Sequence, residues 1–242
     1  MRERGVAVTL VTGRMFAASR RWAARLGIGG PIVCYQGAAI YAAATGERLM
    51  HSPLEAETGR RVFAKVAADR LGALGYLDDR LYAQSETPLL RKYQALSQVS
   101  ARIVPSLEEL FANQPSTKIV ALVPRELAES YVQELAAFVG DGGYVTRSLA
   151  EYIEVLNPRV NKGTALEQVA RMYGMTLEET LAIGDSWNDE PLLRAAGIGV
   201  AMGGAPHELL ALADAVVADV AGDGVAEALE RFVLAPVEEA AG

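Results

Sequence analysis

From Leu181 to Ala201 the chain reads LAIGDSWNDEPLLRAAGIGVA, and the alternation inside this stretch decides the fold class. An apolar run at 180–183 stops at Gly184, polar residues crowd 185–189, helical spacing follows over 190–195, and 199–201 is apolar again. Strand, turn, helix, strand is the repeating unit of a parallel sheet, because parallel neighbours need a crossover between them. The rhythm persists downstream, with helix expected at 208–212, strand at 215–217 and helix at 225–232. Working back, residues 161–173 place Ala165, Leu166, Val169, Ala170 and Tyr173 on one helical face. Thr176 with Glu179 then has capping-box spacing for a single turn. The expected architecture is α/β, a doubly wound parallel sheet.

The first fifty residues extend that pattern. Residues 6–12 are a nearly continuous apolar, β-branched run, which predicts a parallel strand buried on both faces. A helix is expected over 15–26, closed by Gly27, then a strand over 31–35 and a hairpin pairing 38–42 with 48–52. From Leu54 the texture changes. A helix reaches Leu71, strands follow at 74–77 and 81–83, a helix at 88–97, a strand at 102–104 and a short helix at 107–112. Strands at 117–123 and 144–148 flank a helix at 125–139, and 152–156 is again strand-like. Such a mixture without crossover rhythm predicts an inserted α+β domain. The expected division is a discontinuous core of residues 1–52 and 156–242 and an insert of residues 53–155, followed by a disordered Ala/Glu-rich tail from Leu234.

Composition narrows the function. With 51% hydrophobic and 22% charged residues in 242, the chain is ordinary globular material. A net charge of -7 argues against a general nucleic-acid binder and a polybasic membrane patch, whose affinities come from Lys and Arg. A phosphorylated small molecule needs only a few local cations. Cys34 is the only cysteine, so no internal disulfide or thiolate-rich zinc site can form, and its apolar surroundings predict a buried, inert thiol. No apolar run reaches the roughly 18 residues of a membrane helix. No signal-peptide pattern is present either, and a cytoplasmic setting is expected.

The chemistry concentrates at the ends of three expected strands or turns. Asp185 and Asp189 are neighbouring carboxylates after a buried strand, where open α/β sheets bind ligands, and a hard cation such as Mg²⁺ would relieve their repulsion. They also fit a solvated loop in which Asp189 or Asn188 caps the following helix. Thr12 ends the first apolar run, as a turn residue or as an anion ligand. Lys162 opens a helix, where the dipole is already positive, and a bound anion would offset that mismatch.

Val11-Thr12-Gly13-Arg14, Val160-Asn161-Lys162-Gly163 and Gly184-Asp185-Ser186-Trp187-Asn188-Asp189 occur in that order. The set resembles the haloacid dehalogenase-like hydrolases, specifically the Cof-type phosphatases with a large α+β cap. Tyr35-Gln36-Gly37-Ala38, Val200-Ala201-Met202-Gly203 and Asp223-Gly224-Val225-Ala226 are similar to further motifs of that family. The resemblance implies a phosphatase acting on a small phosphorylated metabolite such as a sugar phosphate. Under it, Thr12, Gly13 and Arg14 would hold the phosphoryl group, Lys162 would neutralise its oxygens, and Gln36 and Asn188 would contact or orient the substrate. Asp185 would bind Mg²⁺, and Asp189 would hold Lys162 or a metal-bound water. The 53–155 insert would be the cap that closes over the site.

Two departures stand out. The family's D-x-D-G-[TS], which supplies the aspartyl nucleophile and the general acid, is nowhere in the chain, so covalent chemistry is not expected from these residues alone. Met1-Arg2-Glu3-Arg4-Gly5 resembles the end of the helix that follows that motif, so a first core strand is missing from the pattern and a fragment or late-called start is expected. Gln36 replaces the usual Asn, and Gly204 stands where the family has Asn. The alternative reading is a non-catalytic phosphate-binding or regulatory module. Dinucleotide binding finds no support, because no strand is followed by G-x-G-x-x-G.

Overall fold

The computed structural model describes residues 4–234, so the expectations for residues 1–3 and for the tail beyond Leu234 lie outside the described residues. The chain divides into two compact units, Thr9–Ala165 and Met1–Val8 with Leu166–Gly242.

In the Thr9–Ala165 unit, helix α1 (Phe16–Arg25) ends where Gly27 takes a positive φ, as expected. Strand β1 (Pro31–Cys34) leads into a tight turn and the antiparallel hairpin of β2 (Ala39–Ala42) and β3 (Arg48–His51). The strand expected at 6–12 does not form. Val11 makes a single parallel bridge to β1, with Thr12 N–H donating to Val33 O at 3.0 Å and Val33 N–H to Leu10 O at 2.8 Å. Val8 is 40% exposed rather than buried on both faces. Apolar, β-branched sequence makes a strand only where neighbouring backbones supply a ladder, and β1 pairs here over little more than one step.

The middle of this unit is a sheet with helices on one face and the helix Pro88–Ser97 on the other. Helix α2 (Ala56–Ala68), the hairpin of β4 (Gly72–Leu77) and β5 (Arg80–Ala83), and α3 (Pro88–Ser97) follow the expected order. Thr87 Oγ1 accepts from Leu90 N–H at 3.0 Å, and Pro88 occupies the first turn of α3. Then come β6 (Ala101–Ile103), α4 (Leu107–Leu110), β7 (Ile119–Leu122), α5 (Ala128–Val139), β8 (Tyr144–Leu149) and β9 (Tyr152–Leu156). The six strands lie in the order β6-β5-β4-β7-β9-β8, all neighbours antiparallel except β5 and β6.

Strand alternation sorts this sheet's side chains. Ile119, Ala121, Ile153 and Val155 pack with Val62, Phe63, Phe111 and Leu135 on the face that α2, α4 and α5 cover. Val120, Leu122, Tyr152 and Leu156 turn to the other face and join a second core containing Phe16, Ile32, Tyr35 and Tyr41. Lys118 and Glu154 share the parity of this second face.

In the other unit, β10 (Leu181–Gly184), β11 (Ile198–Met202) and β12 (Ala215–Val217) form a parallel sheet, joined by α7 (Glu190–Ala195) and α8 (His207–Leu212). This is the parallel α/β pattern that Leu181–Ala201 announces. Helix α6 (Lys162–Met172) enters the unit, and α9 (Gly224–Leu229), continued by a single wider turn to Leu234, packs on β11 and β12. Thr176 and Glu179 form the expected capping box around one turn, with Thr176 N–H donating to Glu179 Oε2 at 2.8 Å. Val200, Met202, Val217 and Ala228 are its core.

Candidate active site

In the Thr9–Ala165 unit three of the quoted motifs converge. The bridge between Val11 and Val33 places Thr12 beside the end of β1, where Gln36 N–H donates to Thr12 O at 3.1 Å. Thr12 Oγ1 accepts from Arg14 N–H at 3.2 Å, which turns the chain between strand-like backbone and α1. Tyr35, Gln36 and Gly37 all have positive φ, at 53°, 59° and 110°. Left-handed backbone is costly for Tyr and Gln, and such strain concentrates at functional sites. Gly37 is required: a Cβ there would lie 2.4 Å from Asn161 O. That close approach seats the Tyr35–Gly37 turn on the start of α6. Asn161 Oδ1 accepts from Thr164 N–H at 2.9 Å and caps the helix, whose first residue, Lys162, is 6% exposed.

Gln36 is buried. Its Nε2 donates to Glu154 Oε2 at 3.0 Å, whereas its Oε1 finds no partner. The extra methylene relative to Asn lets this amide reach β9. Arg14 is exposed, and its guanidinium donates to Leu96 O at 3.0 Å and Ser97 O at 3.3 Å, closing the last turn of α3.

Three charged residues that sequence reasoning passed over, Lys118, Glu154 and Asp79, sit against these turns. Lys118 is 1% exposed; its Nζ donates to Gly13 O at 2.8 Å, pairs with Glu154 Oε2 at 3.0 Å and stands 5.3 Å from the Tyr76 ring centroid. Burial alone would push the ammonium down, but the Glu154 charge beside it holds its pKa above the ordinary 10.5. Asp79, in the β4–β5 turn, accepts from Phe16 N–H at 2.9 Å, Ala17 N–H at 2.8 Å and Tyr35 O–H at 2.6 Å, and so caps α1 from outside its own sequence. Its burial raises the carboxyl pKa above the ordinary value against the pull of those three donors. The signal for the first pair was present: one charge of each sign interrupts the apolar runs at 117–123 and 152–156.

Asp185, Asn188 and Asp189 belong to the other unit, immediately after β10. Asp189 is 3% exposed, and its Oδ2 accepts from the N–H groups of Asp185 and Ser186, each at 3.1 Å. Asp189 thus closes a capping box with Ser186 around the turn at 187–189, whereas the cap that the sequence allowed it on the following helix, α7, does not form. Gly184 is needed here, since a Cβ would lie 2.5 Å from Asp189 Cβ. Asn188 is buried, whereas Asp185 is exposed and contributes its main-chain N–H rather than its carboxylate to the turn. Among the described residues no cluster of three His, Cys, Asp or Glu could close around a metal. One exposed carboxylate still fits Mg²⁺ as a single protein ligand, because that ion keeps several waters and takes oxygens from a bound phosphate.

The haloacid dehalogenase-like hydrolase family model matches residues 1–229. The chain belongs to this family. Similar proteins include a phosphoglycolate phosphatase of Methanoculleus marisnigri, 43% identical over 101 residues, which are 41% of this chain and 43% of that one. An HMP-PP phosphatase of Cronobacter sakazakii is 26% identical over 211 residues, 87% of this chain and 76% of the relative. Among solved structures, a haloacid dehalogenase-like hydrolase from Bacteroides thetaiotaomicron superposes with a TM-score of 0.81 at 26% identity, covering 95% of this chain and 87% of that one. The chain spans 35% to 47% of the length of the first curated relatives it matches. Among the described residues no helix is long and apolar enough to cross a membrane.

Proposed function

We propose that this family member is a Mg²⁺-dependent phosphomonoester hydrolase of the Cof type, acting on a small phosphorylated metabolite such as a sugar phosphate, in a form that also carries D-x-D-G-[TS]. The observation that carries the reading is the convergence of Thr12, the strained Gln36 turn and the first turn of α6 with Lys162 in one unit. The phosphatase relatives and the family match support it. Phosphoryl transfer is mainly positioning and charge stabilisation, and these groups suit both tasks.

In this reading the Thr12 hydroxyl and the N–H groups of Gly13 and Arg14 hold the phosphoryl oxygens, and the Lys162 ammonium neutralises them. Gln36 Oε1, buried without a partner, accepts a donor from the substrate. Asp185 would be the Mg²⁺ ligand, and the ion, when bound, would supply positive charge to a phosphoryl group. Asp189 holds the Asp185 turn, with Asn188 buried beside it. Residues 53–155 form the cap, a division supported by confinement of the six-stranded sheet to 72–156.

The absence of D-x-D from the 242 residues favours a second reading, a module that binds a phosphate ligand without turning it over. Phosphate release from a panel of phosphate esters with Mg²⁺ separates the two. It is measured on this chain and on one extended upstream in frame through D-x-D-G-[TS], each beside its Asp185→Ala variant. The expected result is turnover by the extended chain alone, lost on Asp185→Ala. Silence of the extended chain across the panel, with phosphate binding intact, would establish the binding module instead.

A further inference from the structure

Lys118 and Glu154 are costly residues to keep where they are. Each is almost completely buried, and a buried ion pair is usually no more stabilising than apolar side chains of the same volume. Their bonds say what else they do. Lys118 reaches Gly13 O at 2.8 Å, the carbonyl directly after Thr12, while Glu154 Oε2 receives both Lys118 at 3.0 Å and Gln36 Nε2 at 3.0 Å. Glu154 Oε1 accepts from Ser148 Oγ at 2.7 Å, fixing the carboxylate from β8. The side-chain polar atoms of the pair are therefore spent on each other, on the Thr12–Gly13 loop, on Gln36, or on the bond that orients Glu154.

The loop and the turn interlock at the same place. A Cβ on Gly13 would fall 2.3 Å from Gln36 Nε2, so the amide occupies the space that a side chain at position 13 would need. Gln36 itself holds a φ of 59°. A strained residue persists only where its surroundings over-determine it, and Glu154 provides that restraint. The restraint also leaves Gln36 Oε1 unpaired and buried, an acceptor held ready for a donor.

We propose that Lys118 and Glu154 are positioning residues of the phosphate site, holding the Gly13 carbonyl and the Gln36 amide from the sheet so that the Thr12 loop is set before ligand arrives. The proposal rests on the phosphate-site reading above. It makes the sheet of the insert a structural part of phosphate binding rather than only a cover.

The test uses Lys118→Met and the double variant Lys118→Met/Glu154→Leu, with inorganic phosphate as probe and backbone NMR as readout. The single variant strands a buried carboxylate and is expected to lose stability, which alone would distinguish nothing. The double variant removes both charges at similar volume and leaves no buried charge unpaired, so it is expected to stay folded and to melt above the single variant. Its phosphate affinity, read from shifts at Thr12, Gly13 and Lys162, is expected to fall about tenfold, equivalent to ~1.4 kcal/mol. The Arg14 amide, which shares a peptide unit with Gly13 O, and the Gln36 side-chain amide should shift before phosphate is added. A folded double variant with parental phosphate affinity and unchanged Arg14 and Gln36 signals would overturn the positioning role and leave the phosphate site standing. A parent protein that shows no phosphate-dependent shift would take both down together.

Discussion

Replacing Asp79 with Ala removes a carboxylate that three donors use. Phe16 and Ala17 N–H are among the unpaired donors that every helix start exposes, and an acceptor there is worth about 0.5–2 kcal/mol. Tyr35 O–H belongs to a side chain that is 1% exposed, and stranding a buried hydroxyl costs about 1–3 kcal/mol. Asp79 is only partly buried, so water can enter the space it leaves and recover some of the loss. A net destabilisation of about 2–4 kcal/mol follows, or roughly 5–15 °C in melting temperature for a chain of this size. Hydrogen exchange localises the effect: protection of the Phe16 and Ala17 amides should drop more than that of β7 and β9 amides. Asp79→Asn keeps one acceptor oxygen and should fall between. A melting temperature within a degree of the parent, with Phe16 and Ala17 still protected, would refute the capping argument.

Three further outcomes follow from individual geometries. Gly37→Ala should cost about 2–5 kcal/mol in urea unfolding, because it adds both a disfavoured φ and a clash with Asn161 O; a loss below 1 kcal/mol would mean that the turn relaxes freely. Burial, then the nearby Arg48 charge, hold the His51 imidazole below its ordinary 6.5, and its Nε2 meets Thr117 Oγ1 at 2.9 Å. The unfolded chain therefore binds the proton more readily, so this contribution is complete above pH 6.5 and is lost as pH falls through the lower folded value. His51→Gln should flatten the urea midpoint across that window, and parallel pH profiles for the two proteins would contradict the assignment. Cys34 is fully buried and its thiol is pushed up to about 12 by burial, so a thiol reagent at pH 8 should label it only in denaturant.

Much of the fold was legible because it is locally encoded. Pro88–Ser97 carries its cap, its proline and its apolar face within a few residues of one another, and expectation and structure coincide there. The alternation through Leu181–Ala201 likewise sufficed for a parallel sheet. Residues 6–12 misled because their apolar, β-branched character describes what a strand would bury, whereas a ladder needs partners that no local pattern supplies. Thr12, Gln36 and Lys162 were legible as motif residues. Lys118 and Glu154 were visible only as charges interrupting apolar runs, and Asp79 only as a turn residue, because their roles arise from strand register and from a turn meeting a helix far along the chain. Asp78-Asp79 looks like ordinary turn chemistry, and only its placement at the start of α1 makes it a cap.

These non-local residues share one target. Lys118 holds Gly13 O, Asp79 holds the N–H groups of Phe16 and Ala17, and the Arg14 side chain reaches out to α3. Within the span of Gly13 to Ala17 the chain is thus tied by charge-assisted hydrogen bonds to Lys118 at the start of β7, to the β4–β5 turn and to the end of α3. Such bonds are directional and roughly twice as strong as neutral ones, so they fix the orientation of a segment more sharply than apolar contact could. The segment before it is held to β1 by neutral bonds, Thr9 Oγ1 donating to Pro31 O at 2.8 Å and Leu10 O accepting from Val33 N–H at 2.8 Å, and among the described residues it forms no ladder of its own. Order around Thr12 therefore comes from residues C-terminal to it, from β1 and the Gln36 turn as well as from the inserted residues. It follows that substitutions in β4, β7 or β9, distant in sequence from Thr12, should disturb the Thr12 loop before they disturb β10–β12.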